Sequence, residues 1–204
     1  FSDKRYITLE GEPLFLVYRP TFHSRTHFSD VMEELRLLAR KQGLPGLHIV
    51  LVRKNPADFL LRDYGGDALV EFSPLPHQST PSLHKDILFK DFKGKIYDLR
   101  VVVEEYKKAA AREEPTYYCV APMWDNTARK RTSGCMIFDH ASPALYEDWL
   151  RCAISRAKQE HSRERSLVFL NAWNEWGEGA HLEPDRKYGY AFLEATGRAI
   201  LNTR

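Results

Sequence analysis

Between Ser166 and Pro184 the chain reads SLVFLNAWNEWGEGAHLEP. Two carboxylates, Glu175 and Glu178, stand three residues apart in it, flanked by Trp173, Asn174 and Trp176 and separated by Gly177. In a straight strand residues three apart point to opposite faces, whereas in a turn they converge, and Gly177 makes such a turn accessible. Carboxyls that share a cleft can divide into one acid and one base. The indoles and the amide suit the same use: the C–H faces of a pyranose pack against flat aromatic rings, and Asn, Asp and Glu accept from its hydroxyls. A sugar is therefore the substrate class that this mixture fits. The same residue types also have a purely architectural use, because Trp completes cores at strand ends and glutamates hold nearby arginines.

A second cluster, PMWDNTARKR over Pro122–Arg131, offers Trp124, Asp125 and Asn126 as further stacking and hydrogen-bonding groups for a sugar. Arg129 is suited to pair with a carboxylate or phosphate. Asp-Asn-Thr reads equally well as turn and helix-cap chemistry, and Lys130-Arg131 as solvated surface. Glu71 at the end of ALVEF and Arg19 after LFLVY complete the set of candidate substrate contacts, with His77 and His181 as further loop histidines. The eight histidines show no HExxH and no paired ligand spacing, so no metal and no cofactor is expected.

The elements that must position these groups follow from apolar patterning. Continuous apolar runs at Leu14–Tyr18, Leu47–Val52, Ala68–Phe72, Thr116–Ala121 and Leu167–Leu170 read as strands, the first covered on both faces. A helix capped by Ser29 and stopped at Gly43, a short helix over Asn55–Tyr64, and helices over Tyr97–Ala111, from Ser142-Pro143 with Tyr146, Trp149, Leu150, Ala153 and Ala157 on one face, and over Tyr188–Leu201 lie between and after them. Strands alternating with helices predict a parallel sheet with βαβ crossovers. The candidate residues sit at the C-terminal ends of several strands, which favours an α/β fold of the (β/α)8 TIM-barrel type over an open sheet with one switch point. Eight strands need about 250 residues, so the 204 residues are expected to form one partial domain, the C-terminal five β/α units, with the first strands upstream.

Composition narrows the partners. With 43% hydrophobic residues the chain can bury a sizeable core, and 30 basic against 28 acidic side chains, spread without blocks, argue against nucleic acid or an anionic membrane. No apolar run is long enough to span a bilayer. Three cysteines without CxxC spacing support neither a disulfide framework nor a zinc ribbon, which favours a reducing compartment such as the cytoplasm and leaves the location open.

Four segments in order, DKRYITLEGEPLFLVYRP, DALVEFSP, PMWDNTARKR and NAWNEWGEGAHLEPDRKYGYAFLEA, resemble the WbsX-like proteins of bacterial polysaccharide gene clusters, also described as a glycoside hydrolase family 99-like domain. The resemblance implies a (β/α)8 barrel and an oligosaccharide or polysaccharide substrate. In the related endo-α-mannosidases and endo-α-mannanases the matching segment reads Glu-Trp-His-Glu, and its two glutamates act with retention through a 1,2-anhydro sugar. Carried over, Glu175 is the base for the sugar 2-hydroxyl, and Glu178 the acid for the leaving oxygen and then the base for water. That differs from the usual retaining pair, nucleophile and acid/base about 5–5.5 Å apart. Gly177 replaces the family's histidine, so linkage and sugar specificity do not transfer with the mechanism. Two readings compete with hydrolysis: a nucleotide-sugar glycosyltransferase of O-antigen or other surface polysaccharide assembly, against which stands the absence of DxD and of a Gly-rich phosphate loop, and a non-catalytic glycan-binding module.

Overall fold

The computed structural model of the chain describes all residues except 2, 23, 56, 77–79, 84–90, 132 and 203–204. In chain order its elements are β1 (Thr8–Leu9), β2 (Glu12–Val17), α1 (Arg25–Lys41), β3 (His48–Arg53), β4 (Ala68–Glu71), β5 (Lys93–Asp98), α2 (Leu99–Lys108), β6 (Thr116–Val120), β7 (Trp124–Asp125), α3 (Thr127–Lys130), β8 (Ser133–Asp139), α4 (Pro143–Glu160), β9 (Val168–Leu170), β10 (Asn174–Glu175), β11 (Ala180–His181) and α5 (Ala191–Leu201). The five strands expected from apolar runs are β2, β3, β4, β6 and β9. The chain divides into two compact units, Phe1–Phe72 with Ala111–Tyr118 and Ala157–Leu167, and Ser73–Ala110 with Cys119–Arg156 and Val168–Arg204.

In the first unit β2, β3, β4 and the start of β6 pair in parallel, Leu14 beside His48, Val50 beside Ala68, and Leu69 beside Thr116. The parallel pairing follows from the crossover through α1, whose stripe of Phe28, Met32 and Ala39 covers Ile49, Leu51 and Leu69. Phe59, Leu61 and Tyr64 close the same core. Two-residue alternation sends Val50 to the opposite face of β3, where it is also fully buried. Burying each such side chain stabilises the unit by about 1.5–3 kcal/mol. Arg36 ties the helix to the sheet by donating to Gly65 C=O and to Asp67, whose carboxylate also accepts from Ile49 N–H.

Three details of this unit differ from the sequence expectation. Helix α1 begins at Arg25, not after Ser29, because Phe28 belongs to the core and carries the helix one turn further back. No regular helix forms over 55–64 among the described residues. Asn55 and Asp58 hold each other in a side-chain turn, Glu114 takes the Leu61 N–H, and only a single 3-10 turn, Leu61–Asp63, remains. Strand β2 is not covered on both faces, since Leu16 and Tyr18 beside it are exposed.

The second unit contains a three-stranded sheet, β5-β8-β7, that the apolar patterning does not reveal. In β8 the buried residues Cys135 and Phe138 are three apart, so the strand lacks the alternation that would mark it, and β5 opens with Lys-Gly-Lys. Helix α2 is capped by Asp98, which accepts from Arg100 N–H, and buries Leu99, Val102, Val103 and Tyr106. Tyr106 meets Trp149 of α4 edge to face at 5.5 Å. Helix α4 begins at Pro143, with Ser142 Oγ accepting from Leu145 N–H, and Phe192 of α5 packs on Tyr146. No helix among the described residues is long and apolar enough to cross a membrane.

Candidate functional site

The segment that follows β9 is a short hairpin. β10 and β11 pair antiparallel, Asn174 beside His181 and Glu175 beside Ala180, and a 3-10 turn over Trp176–Glu178 joins them. Leu182 and Glu183 N–H groups donate to Trp173 C=O and close its base. Gly179 ends the turn in the left-handed region, φ 58°, and its N–H donates to Trp176 C=O. A Cβ at Gly179 would lie 2.9 Å from the carbonyl oxygen and 3.0 Å from the nitrogen of Asp125. Only glycine both accepts this backbone angle and lets the hairpin tip lie against β7. That contact joins the two clusters that the sequence suggested, WNEWGEG and WDN.

Each predicted residue can now be placed. Glu175 is exposed and has no hydrogen bond or ion pair among the described residues; its Oε1 reaches back to within 3.2 Å of where a Gly177 side chain would begin. Glu178 is mostly covered, at 17% side-chain exposure, and its Oε1 accepts from Arg129 Nη1 at 2.8 Å. Asn174 is exposed on β10. Trp173 and Trp176 are 51% and 49% exposed, two large apolar rings left to solvent on one hairpin. Trp176 is held as a platform: one face stacks on the His181 ring, centroids 3.8 Å apart, and its indole N–H donates to Glu183 Oε2 at 2.9 Å.

Trp124 and Asn126, by contrast, are buried. Asn126 Oδ1 accepts from Met136 N–H at 2.7 Å and so fastens β7 to β8. Asp125 is exposed, but its Oδ1 accepts from both the N–H and the hydroxyl of Thr127, the turn chemistry that the Asp-Asn-Thr run suggested. The short helix α3 started there carries Arg129 to Glu178.

Glu71 and Arg19 lie in the first unit and the hairpin in the second. Glu71 is paired with Arg112, whose Nε donates to Oε1 at 2.8 Å. Arg19, exposed and at φ 57°, lies over the Tyr18 ring. His77 falls outside the described residues.

Of the residues that hold Trp176 in place, sequence singled out His181, as a loop histidine open to substrate, but not Glu183 or Asp185. His181 is buried under the indole, its Nε2 2.9 Å from Asp185 Oδ2. Asp185 Oδ1 accepts from Lys187 and Tyr188 N–H. Burial alone would raise the Asp185 carboxyl, but the Tyr188 N–H, His181 and the Lys187 N–H outweigh it and hold the group below its ordinary value. The four-residue spacing of His181 and Asp185 was the only trace of this pair in the sequence, and the Trp176–Glu183 bond left none.

A family model described as glycosyltransferase WbsX matches residues 1–196. The chain belongs to that family. The uncharacterized protein WxcX of Xanthomonas campestris pv. campestris, in strain B100 and a second strain, is 36% identical over 205 residues, which is 97% of this chain and 28% of the relative. A solved structure of the GH99 endo-alpha-mannosidase from Bacteriodes thetaiotaomicron, in complex with BIS-TRIS-propane, superposes with a TM-score of 0.56 at 14% identity, covering 95% of this chain and 57% of that one. This WbsX member thus has a mixed α/β fold like that of the mannosidase and spans 28% of the length of WxcX.

Proposed function

We propose that this chain is the C-terminal part of a (β/α)8 carbohydrate-active enzyme that works on a glycosidic bond, with Glu175 as general base and Glu178 as general acid. One observation carries the reading: an exposed glutamate without a partner among the described residues stands on the same hairpin tip as a second, covered glutamate, beside two half-exposed indoles. Rings of that size are left in water at a cost unless a ligand covers them. The indole of Trp176, already backed by His181, offers its free face to the C–H side of a sugar, and Trp173 and Asn174 extend the contact.

In the proposed reaction Glu175 takes the proton of the sugar 2-hydroxyl as O2 attacks C1, and Glu178 gives its proton to the departing glycosidic oxygen. Glu178 then removes a proton from water, which attacks C1 while Glu175 returns the proton to O2. Both protons are thereby restored, and the net change is hydrolysis with retention. Glu178 must hold a proton to enter this cycle, and Oε2 can carry it while Oε1 still accepts from Arg129 Nη1. Asp125, Asn126 and Trp124 act from behind, by placing Arg129 and the hairpin tip. The family description favours a second reading, transfer from a nucleotide sugar.

Product analysis of the complete protein and of Glu178→Gln separates these readings, on α-mannan and on bacterial O-polysaccharide, with and without nucleotide sugars. Oligosaccharide released by the wild type and absent with the variant is the expected result. Elongation that depends on a nucleotide sugar would replace hydrolysis by transfer, and binding without any product would leave a glycan-binding module.

A further inference from the structure

The C-terminal ends of β2, β3 and β4 carry a second cluster that the hairpin chemistry does not use. Register sets it up. Val17 pairs with Leu51 and Arg53 with Glu71, so Lys54 and Phe72 leave β3 and β4 level with each other, and Tyr18 leaves β2 two residues earlier in the register. Tyr18 and Phe72 lie 6.1 Å apart, ring to ring. Lys54 Nζ stands over both, 5.2 Å from the Tyr18 centroid and 4.4 Å from that of Phe72. Arg19 covers Tyr18 at 5.3 Å from a backbone with φ 57°, a conformation that side chains other than glycine, Asn or Asp rarely adopt without a reason.

Charge is the second part of the argument. Glu71 is taken by Arg112 and Glu114 by Arg53, and Asp58, four residues after Lys54, accepts from Asn55 N–H. Arg19 and Lys54 are exposed and have no carboxylate partner among the described residues, so two positive charges converge on one phenol uncompensated. Burial alone would raise the Tyr18 phenol, but Lys54 and Arg19 outweigh it and hold the group below its ordinary value. Like charges gathered on an aromatic wall form a site that an anion completes, because it satisfies the free donors of both cations at once.

We infer that Arg19 and Lys54, walled by Tyr18 and Phe72, bind an oxyanion: the carboxylate of an acidic sugar in the glycan, or the diphosphate of a sugar donor. The inference rests on the glycan-directed reading above and adds the charge of the ligand to it. The aromatic wall favours a ligand in which the anionic group is attached to a sugar ring, since the ring's C–H face then meets Tyr18 while the oxyanion reaches both cations.

The test is calorimetric titration of the complete protein with glucuronate, inorganic pyrophosphate and, as a neutral control, mannose. Binding of at least one anion, tenfold or more tighter than mannose and weakening with added salt, is the expected result. Lys54→Gln, a surface substitution, and Arg19→Gly, which keeps the left-handed backbone, should each weaken it at least tenfold without lowering the thermal midpoint. Preference for glucuronate assigns the site to an acidic glycan, and preference for pyrophosphate assigns it to a donor. Anion binding equal to mannose, or unchanged in both variants, overturns the inference. Glu178→Gln leaves anion binding intact if the site is as inferred, so loss of turnover in that variant bears on the hairpin alone.

Discussion

Glu71 and Glu175 each end a short strand, β4 and β10, and in sequence each follows an apolar or aromatic stretch. Their surroundings differ completely. Glu71 is 18% exposed and gripped by Arg112, 41 residues along the chain, while Glu175 is exposed and unpartnered among the described residues. Glu71 is held through two N–H groups of a guanidinium that is itself only 28% exposed, a pair that contributes to folding, whereas the arginine on Glu178 is 57% exposed and holds Oε1 alone. An exposed carboxylate on a tight hairpin contributes little to folding and is open to whatever the hairpin binds. Position on a strand therefore does not decide what a glutamate does; the partner does.

The largest effect expected from breaking this contrast is catalytic. Glu178→Gln should lower turnover by about 10²–10⁴-fold, the range of a lost acid or base. Its Arg129 pair is mostly exposed on the arginine side and is worth less than about 1 kcal/mol, so the thermal midpoint should barely move. A large loss of stability in that variant would make the residue structural, like Glu71.

Gly179→Ala comes next. It forces a Cβ into the left-handed region and against the Asp125 backbone, at a cost of about 1–2 kcal/mol for the angle alone. Turnover and thermal midpoint should fall together; unchanged turnover would mean that the contact with β7 does not position the carboxylates. Trp176→Ala should raise KM about tenfold with a smaller change in kcat, as loss of one stacking face implies. Equal losses in both would place the indole in the transition state and not in binding.

The smallest effect concerns pH. The Asp185 carboxyl is held below its ordinary value in the fold, so its stabilising contribution is present above that ordinary value. It is lost as pH falls through the lowered one. Thermal midpoints followed on the acid side should therefore decline more steeply for the wild type than for Asp185→Asn, and parallel curves would remove the His181–Asp185 pair from the support of Trp176.

Strands β2, β3, β4, β6 and β9 were legible because each is a continuous apolar run, and α2 and α4 because their stripes repeat at helical spacing. Strands β5, β7 and β8 were not, since their buried positions follow neither period. At the candidate site the sequence displayed the two glutamates, the tryptophans and the WDN run, with Arg129 marked as a partner for a carboxylate or a phosphate. It did not reveal which carboxylate, because the pairing with Glu178 depends on a backbone approach of Gly179 to Asp125 across 54 residues of chain. Nor did it separate Trp176, exposed on its histidine, from Trp124, buried within β7. Those distinctions arise from tertiary packing and have no local pattern.

The decisive measurement sets Glu175→Gln beside Glu71→Gln in the complete protein, with turnover and thermal unfolding recorded for both. Glu175→Gln should abolish most turnover at an unchanged midpoint. Glu71→Gln should lose about 1–3 kcal/mol of stability, the value of a hydrogen-bonded charge, while the folded fraction keeps its turnover. If Glu175→Gln retained full turnover, or if the two variants lost stability alike, the division between a carboxylate held for chemistry and one held for the fold would be contradicted.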